Sequence, residues 1–237
     1  TLLNNIRADE VTQEDVQAWN DRCHRFMDMD ELVGAVHLTT TNRAADQRNK
    51  EELKRLAGQE WTFKARSSGK FDGGKAPSPD KLVLKEGAQV MFTSNDPMKR
   101  WVNGTLGKVI SVKQKGMLKG VADIKVAVQD GGVVTVDQVT WNNYEYSRNV
   151  NSNSVEAEVA GSYTQYPLTL AWAVTIHKAQ GKTFEKVLLD MGRGAFAHGQ
   201  LYVALSRCKN LDGIVLRQPF NPRDVIIDKA VLEFVQG

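Results

Sequence analysis

The sequence predicts an α/β protein with a largely parallel sheet, interrupted by a small antiparallel β domain. Apolar runs of buried-strand type, Val33 to Thr40, Val187 to Asp190 and Ile214 to Leu216, alternate with helical patterns towards both ends of the chain, and such alternation implies a parallel sheet. Between them, Val90 to Phe92, Gly107 to Val112, Val121 to Val128 and Val133 to Val139 are short β-prone runs parted by Gly, Asn or Asp, which is the pattern of a small barrel. A length of 237 residues, 41% apolar and 25% charged, fills one large domain or two small ones.

In chain order, Leu2, Leu3 and Ile6 read as the tail of a helix, so that the start resembles a cut. Thr12 then caps a helix with Val16, Trp19, Cys23 and Phe26 on one face. After the strand Val33 to Thr40, Thr41 or Asn42 caps a helix bearing Ala45, Asn49, Leu53 and Leu56 at helical spacing. Ala65 to Asp80, rich in Gly, Ser, Pro and Lys, reads as a mobile surface loop. The barrel runs follow, with Asn103-Gly104 as a tight hairpin turn. Tyr163 to Thr169 reads as the strand that rejoins the parallel sheet, Leu170 to Lys178 as a helix, His198 to Ser206 as another, and Asp224 to Val235 as a last, packing helix.

Composition excludes several classes. No run of eighteen apolar residues exists and Thr1 to Asn5 has no signal-peptide character, so an intracellular protein is expected. Cys23 and Cys208 are the two cysteines, too few for a disulfide framework or a zinc site. The net charge of +3 is mild, but seven basic residues from Lys99 to Lys125 face the single acid Asp123. They form either a basic face on the β domain or an ordinary solvated surface.

The polar residues of most interest gather at Thr175-Ile176-His177-Lys178-Ala179-Gln180-Gly181-Lys182-Thr183. A histidine, a lysine, a glutamine, a threonine and bare glycine backbone at one turn beside a buried strand can hold an anion such as phosphate; an ordinary αβ loop is the alternative. Gly181-Lys182-Thr183 imitates the end of a phosphate-binding P-loop, but the first glycine of that pattern would fall at Ile176. Asp190, which imitates a magnesium-binding aspartate, therefore has no cradle to serve.

Tyr166 to Gly181 (YPLTLAWAVTIHKAQG) resembles motif V of superfamily 1 DNA helicases of the RecD-like and petite-integration-frequency (PIF) type, and Leu201 to Arg207 (LYVALSR) resembles motif VI. Leu38 to Asn42 is similar to motif IV, and Trp101 to Gly107 to the entry turn of an SH3-like barrel inserted in this group. The resemblance implies connecting helices at 1–30, a second RecA-like motor domain at 31–82 and 163–237 that lacks its own P-loop, and an inserted SH3-like β domain at 83–162. It implies the C-terminal half of an ATP-dependent 5′-to-3′ DNA helicase, inactive alone. Arg207 would be catalytic, as an arginine finger, and would bind nucleotide with Gln180 and Gly181. Thr175, His177, Lys178, Thr41 and Asn42 would contact DNA, although Thr41 and Asn42 are equally plain helix caps. ATP and Mg2+ would be bound mainly by a first RecA-like domain outside this chain, with none intrinsic to it and no metal site. The partners implied are single-stranded DNA and that first domain, with no membrane; the location is cytoplasmic, with the chromosome or other DNA. A stand-alone nucleic-acid-binding module without ATPase activity is the alternative.

Overall fold

The computed structural model describes residues 2–8, 10–21, 34–71, 76–116, 120–129, 131–149 and 154–228. Helices α1 (Leu2–Ala8) and α2 (Gln13–Asn20) precede strand β1 (Val36–Thr39) and helix α3 (Asn42–Arg55). Next come β2 (Trp61–Lys64), β3 (Arg66–Gly69), β4 (Lys81–Leu84), β5 (Gln89–Phe92), β6 (Leu106–Gln114) and β7 (Ala122–Val128). The chain continues through β8 (Val133–Val136), β9 (Val139–Asn149), β10 (Ser154–Gln165), β11 (Leu168–Leu170), β12 (Ala173–Thr175) and β13 (Val187–Asp190) to helix α4 (Gln200–Leu205) and β14 (Ile214–Leu216). It divides into two units, Thr1–Glu52 with Trp172–Gly237, and Leu53–Ala171.

The first unit is built on a parallel sheet of order β12-β1-β13-β14. Its strands are almost wholly apolar because both faces are covered: Val36, Leu38, Val187 and Leu189 are at most 1% exposed, and burial of each contributes about 1.5–3 kcal/mol. The edge strand β12 is closed by a side chain from α3. Asn49, 8% exposed, donates from Nδ2 to the Ala173 carbonyl at 2.8 Å and accepts from the Ala173 N–H at 2.8 Å. One amide thus stands in for a missing neighbouring strand. The N-terminal helices join the same unit: Thr12 and Asp15 form a capping box on α2, and the Asn20 amide exchanges two hydrogen bonds with the Phe220 backbone, at 3.1 and 3.0 Å. Hydrogen bonds, first from Asn5 and then from the Thr12 backbone, hold the Asp15 carboxyl below the usual carboxylate range.

The second unit is antiparallel. A five-stranded sheet of order β11-β5-β6-β7-β8 buries Val90, Phe92, Val109, Ile124, Val126 and Val136, alongside a β3-β10-β9 sheet and a β2-β4 pair. Asn103-Gly104 sits at the turn between β5 and β6, with Gly104 at φ +98° and the Thr105 N–H donating to the Val102 carbonyl at 3.0 Å.

Four expectations change. Leu170 to Lys178 is not a helix: it forms the end of β11, then β12, then turns, because Val174, Thr175 and Ile176 are β-branched and β1 with Asn49 offers their backbone partners. Tyr163 to Thr169 does not enter the parallel sheet; it lies in β10 and β11 and pairs antiparallel within the second unit. Its polar side chains explain why. Tyr163 donates to the Ser78 carbonyl at 2.8 Å, Gln165 to Phe63 and Pro79 carbonyls at 3.2 and 3.1 Å, and Tyr166 to the Ala122 carbonyl at 2.8 Å. The Ala65 to Asp80 stretch is accordingly more than a loop: it contains β3 and supplies the Ser78 and Pro79 acceptors. The helix expected at His198 to Ser206 shortens to α4, and most of that expected at Asp224 to Val235, like Cys23 and Phe26, lies outside the described residues.

Candidate nucleotide and nucleic-acid site

Parallel α/β sheets bind ligands beyond the carboxyl ends of their strands. At that edge of the first unit, Thr39 stands beside Thr175 on one side and Asp190 on the other. The chain leaves this edge through Thr40-Thr41 into α3 and through Ile176 to Gly181. Register therefore gathers residues from two distant parts of the sequence, and the Ile176 N–H donating to the Thr39 carbonyl at 2.9 Å ties the two exits together.

Thr41 caps α3. Its Oγ1 accepts from the Ala44 N–H at 3.3 Å, and its carbonyl accepts from Thr39 Oγ1 at 3.1 Å; Asn42 is the first helical residue and is exposed. An N-cap hydroxyl keeps its own O–H for a ligand.

The second exit is a compact turn. The Ala179 N–H donates to the Thr175 carbonyl at 3.0 Å, Gln180 to His177 at 3.2 Å and Lys182 to Ala179 at 3.0 Å, while Thr175 Oγ1 accepts from the Lys178 N–H at 3.3 Å. Gly181, at φ +74°, makes the reversal that an L side chain resists. Burial sorts the residues: Thr175, Ile176 and Ala179 anchor the turn inside, and His177, Lys178, Gln180 and Gly181 face solvent. Thr175 is thus the pivot of the turn, with its side-chain oxygen turned to the Lys178 backbone.

Arg207 follows α4 and reaches back to this turn. Its Nε donates to the Val203 carbonyl at 2.8 Å, Nη1 to the Lys182 carbonyl at 3.2 Å and Nη2 to Ser206 Oγ at 2.8 Å. All three acceptors are neutral, so the guanidinium charge is not cancelled. Of its five N–H groups two remain, one on each terminal nitrogen. Sequence reasoning did not anticipate the three residues that hold it; Val203 and Ser206 lie close to Arg207 in sequence, whereas the contact with Lys182 has no local signal.

The charge around the turn is positive. Lys178, Lys182 and Arg207 pair with no carboxylate among the described residues. Lys182 Nζ donates to the Lys178 carbonyl at 2.8 Å, and burial holds its pKa below the usual lysine value. Nearby acids are spent elsewhere: Asp190 pairs with Arg217 at 2.5 Å and accepts from the Gly192 N–H at 3.0 Å, and Glu185 pairs with Lys209. On β1, burial first, then Arg48 and Arg217, push His37 down to about 4 despite Asp190; it is neutral at pH 7. Among the described residues no group of three or more His, Cys, Asp or Glu is placed to hold a metal ion. The chemistry offered is therefore anion binding by ammonium, guanidinium, imidazole and amide groups at one sheet edge.

No protein-family model matches the chain. It is 32% identical over 98% of its length to an ATP-dependent DNA helicase Pif1 of Bdellovibrio bacteriovorus, and it covers 49% of that protein. The unliganded structure of Pif1 from Bacteroides sp matches 99% of the chain at 32% identity and a TM-score of 0.86, with 52% of that chain covered. A crystal structure of a Bacteroides Pif1 in complex with ADP-AlF3 and single-stranded DNA matches 99% of it at 32% identity and a TM-score of 0.75, again with 52% covered. The chain thus spans no more than about half the length of the curated relatives it matches. With these likenesses, the parallel sheet of the first unit is a RecA-like fold.

Proposed function

We propose that this chain, which in sequence and fold is a C-terminal motor region of the Pif1-type helicases, completes the ATP site and part of the single-stranded DNA track of an ATP-driven, 5′-to-3′ DNA helicase. The observation that carries the reading is the hydrogen bond between Arg207 and the Lys182 carbonyl. It ties Arg207, in the segment that resembles motif VI, to the residue directly after the segment that resembles motif V, and so makes one cationic unit of the two.

In this proposal ATP and Mg2+ are held mainly by a first RecA-like domain outside the chain, and Arg207 presents its two remaining N–H groups to the γ-phosphate as negative charge develops there. Its anchors on Val203, Lys182 and Ser206 hold the planar fork in one orientation before the substrate arrives. Gln180 and Gly181 line the same cleft through an amide side chain and close backbone. His177 and Lys178, with Thr175 fixing the turn, and Thr41 and Asn42 at the head of α3, contact DNA phosphates without reading sequence. Nucleotide acting on the Gln180 to Lys182 side of the turn then shifts the DNA-facing side, and alternation of the two states moves the motor along a strand inside the cell.

The test is Arg207→Ala in the full-length protein. A finger contributes about 10³ to 10⁵ in turnover, so DNA-stimulated hydrolysis should collapse while single-strand binding persists. The variant also forfeits three hydrogen bonds donated by a charged guanidinium, about 1.5–3 kcal/mol each, so the assay is run well below the melting temperature. Arg207→Lys should rescue little, since an ammonium does not reproduce the fork. Turnover within about threefold of the parent, near 0.65 kcal/mol in barrier, would refute the assignment.

A further inference from the structure

The antiparallel unit carries a second charged surface that the motor site does not use. Along β6 and β7 the inward residues Val109, Val112, Ile124 and Val126 are buried, and the lysines alternate with them: Lys108, Lys113 and Lys125 are exposed on the opposite face. Register brings them into a row. Lys108 lies opposite Ala127, Lys125 opposite Ser111, and Lys113 opposite Asp123, with an irregularity between Val109 and Ser111 that keeps the lysines facing outward. Strands about 4.8 Å apart and a rise of about 3.4 Å per residue put Lys125 on β7 about 8 Å diagonally from each of Lys108 and Lys113 on β6.

The acids that might neutralise this row are engaged. Asp123 pairs with Lys115 at 3.4 Å, and Glu86 accepts from the Val112 N–H at 3.2 Å. Lys108, Lys113 and Lys125 have no carboxylate partner among the described residues. Lys125 is flanked by Ser111 on one strand and Thr135 on the other, which supply hydroxyl donors beside the ammonium.

We infer that this outer face of β6 and β7 is a second phosphate-contacting surface for single-stranded nucleic acid, engaged by Lys108, Lys113 and Lys125. The inference rests on the nucleic-acid reading above. A linear row of unpaired ammonium groups on long flexible stems matches a repeating backbone charge. Among the described residues the face has no aromatic platform for stacking bases and no planar fork for reading their edges, so it follows the backbone and is indifferent to sequence.

The test uses the whole chain and a fluorescently labelled oligothymidylate, titrated across salt. Lys108→Gln, Lys113→Gln and Lys125→Gln together should leave the fold intact and flatten the salt dependence by about 2 in log–log slope, since each single-strand contact contributes about 0.7. Affinity between about 50 and 200 mM salt should then fall roughly 20-fold less than in the parent. A control triple, Lys50→Gln, Lys54→Gln and Lys186→Gln, removes the same net charge elsewhere and should keep the parent slope. Equal flattening by both triples would show net charge alone at work and overturn the inference. So would preferential binding of vesicles of anionic lipid over the oligonucleotide through the same three lysines. Binding lost with His177→Ala and Lys178→Ala but untouched by the sheet triple would overturn this inference and leave the motor reading standing, whereas a parent chain that binds no single strand at low salt would sink both.

Discussion

Asn49 offers the sharpest test of how the sheet is held. In Asn49→Leu the volume is nearly kept, but the Ala173 N–H and carbonyl lose their partners at 2.8 Å each in a site only 8% exposed at Asn49 and 1% at Ala173. A buried backbone group left unsatisfied costs about 1–3 kcal/mol, so the pair should cost about 2–6 kcal/mol. That is a large share of the 5–15 kcal/mol typical of a domain. Asn49→Asp retains an acceptor for the N–H but meets the Ala173 carbonyl with a second acceptor, and should be no better at neutral pH. Urea unfolding of the chain, followed by far-UV circular dichroism, gives the number directly. Because β12 leads into Thr175, the variant should also lose protection from hydrogen exchange at Ala173 to Ala179 before the rest of the molecule does. A loss below about 0.5 kcal/mol, or unchanged exchange there, would refute the claim that one amide does the work of an edge strand.

Other expectations follow from single contacts. His37 has a folded pKa near 4 against an ordinary value of 6.5, so the unfolded chain binds its proton first; this contribution is complete above about pH 6.5 and disappears as pH falls towards 4. Between pH 7 and 5 it should remove about 2 kcal/mol of stability, and His37→Gln should flatten that slope in matched urea titrations. A Cβ added at Gly213 would collide with the Glu185 carbonyl and the Cys208 sulfur, so Gly213→Ala should lower the melting temperature by several degrees, seen by differential scanning fluorimetry, where an exposed glycine with open surroundings such as Gly132 should tolerate the change. The purified 237-residue chain is expected to release no phosphate from ATP with or without DNA, checked by a malachite-green assay; turnover that Arg207→Ala removes would contradict the proposed division of labour.

Much of this protein was legible in the residues themselves. Apolar runs buried on both faces marked β1, β13 and β14; short β-prone runs between Gly, Asn or Asp turns marked β6 and β7; Asn103-Gly104 marked its turn; Thr12 marked the head of α2. These signals are local, written into a few consecutive side chains and their backbone preferences. The likeness of Tyr166 to Gly181 and of Leu201 to Arg207 to helicase motifs was equally visible, because motifs are strings.

What the tertiary structure alone decided involves partners distant in sequence. Leu170 to Lys178 carries a spacing that suits a helix, and only the neighbouring β1 and the Asn49 amide convert it to a strand and a turn. Tyr163 and Gln165 look like parts of an ordinary strand until the carbonyls of Ser78, Pro79 and Phe63 draw them into the antiparallel unit. Arg207 and Lys182 are joined by a backbone oxygen that no pattern of residue types announces. The lysines of β6 and β7 become one row only through a register with an irregularity at its middle. Short apolar runs are ambiguous in isolation, and a backbone group must be satisfied by whatever lies beside it, so the choice passes to the fold.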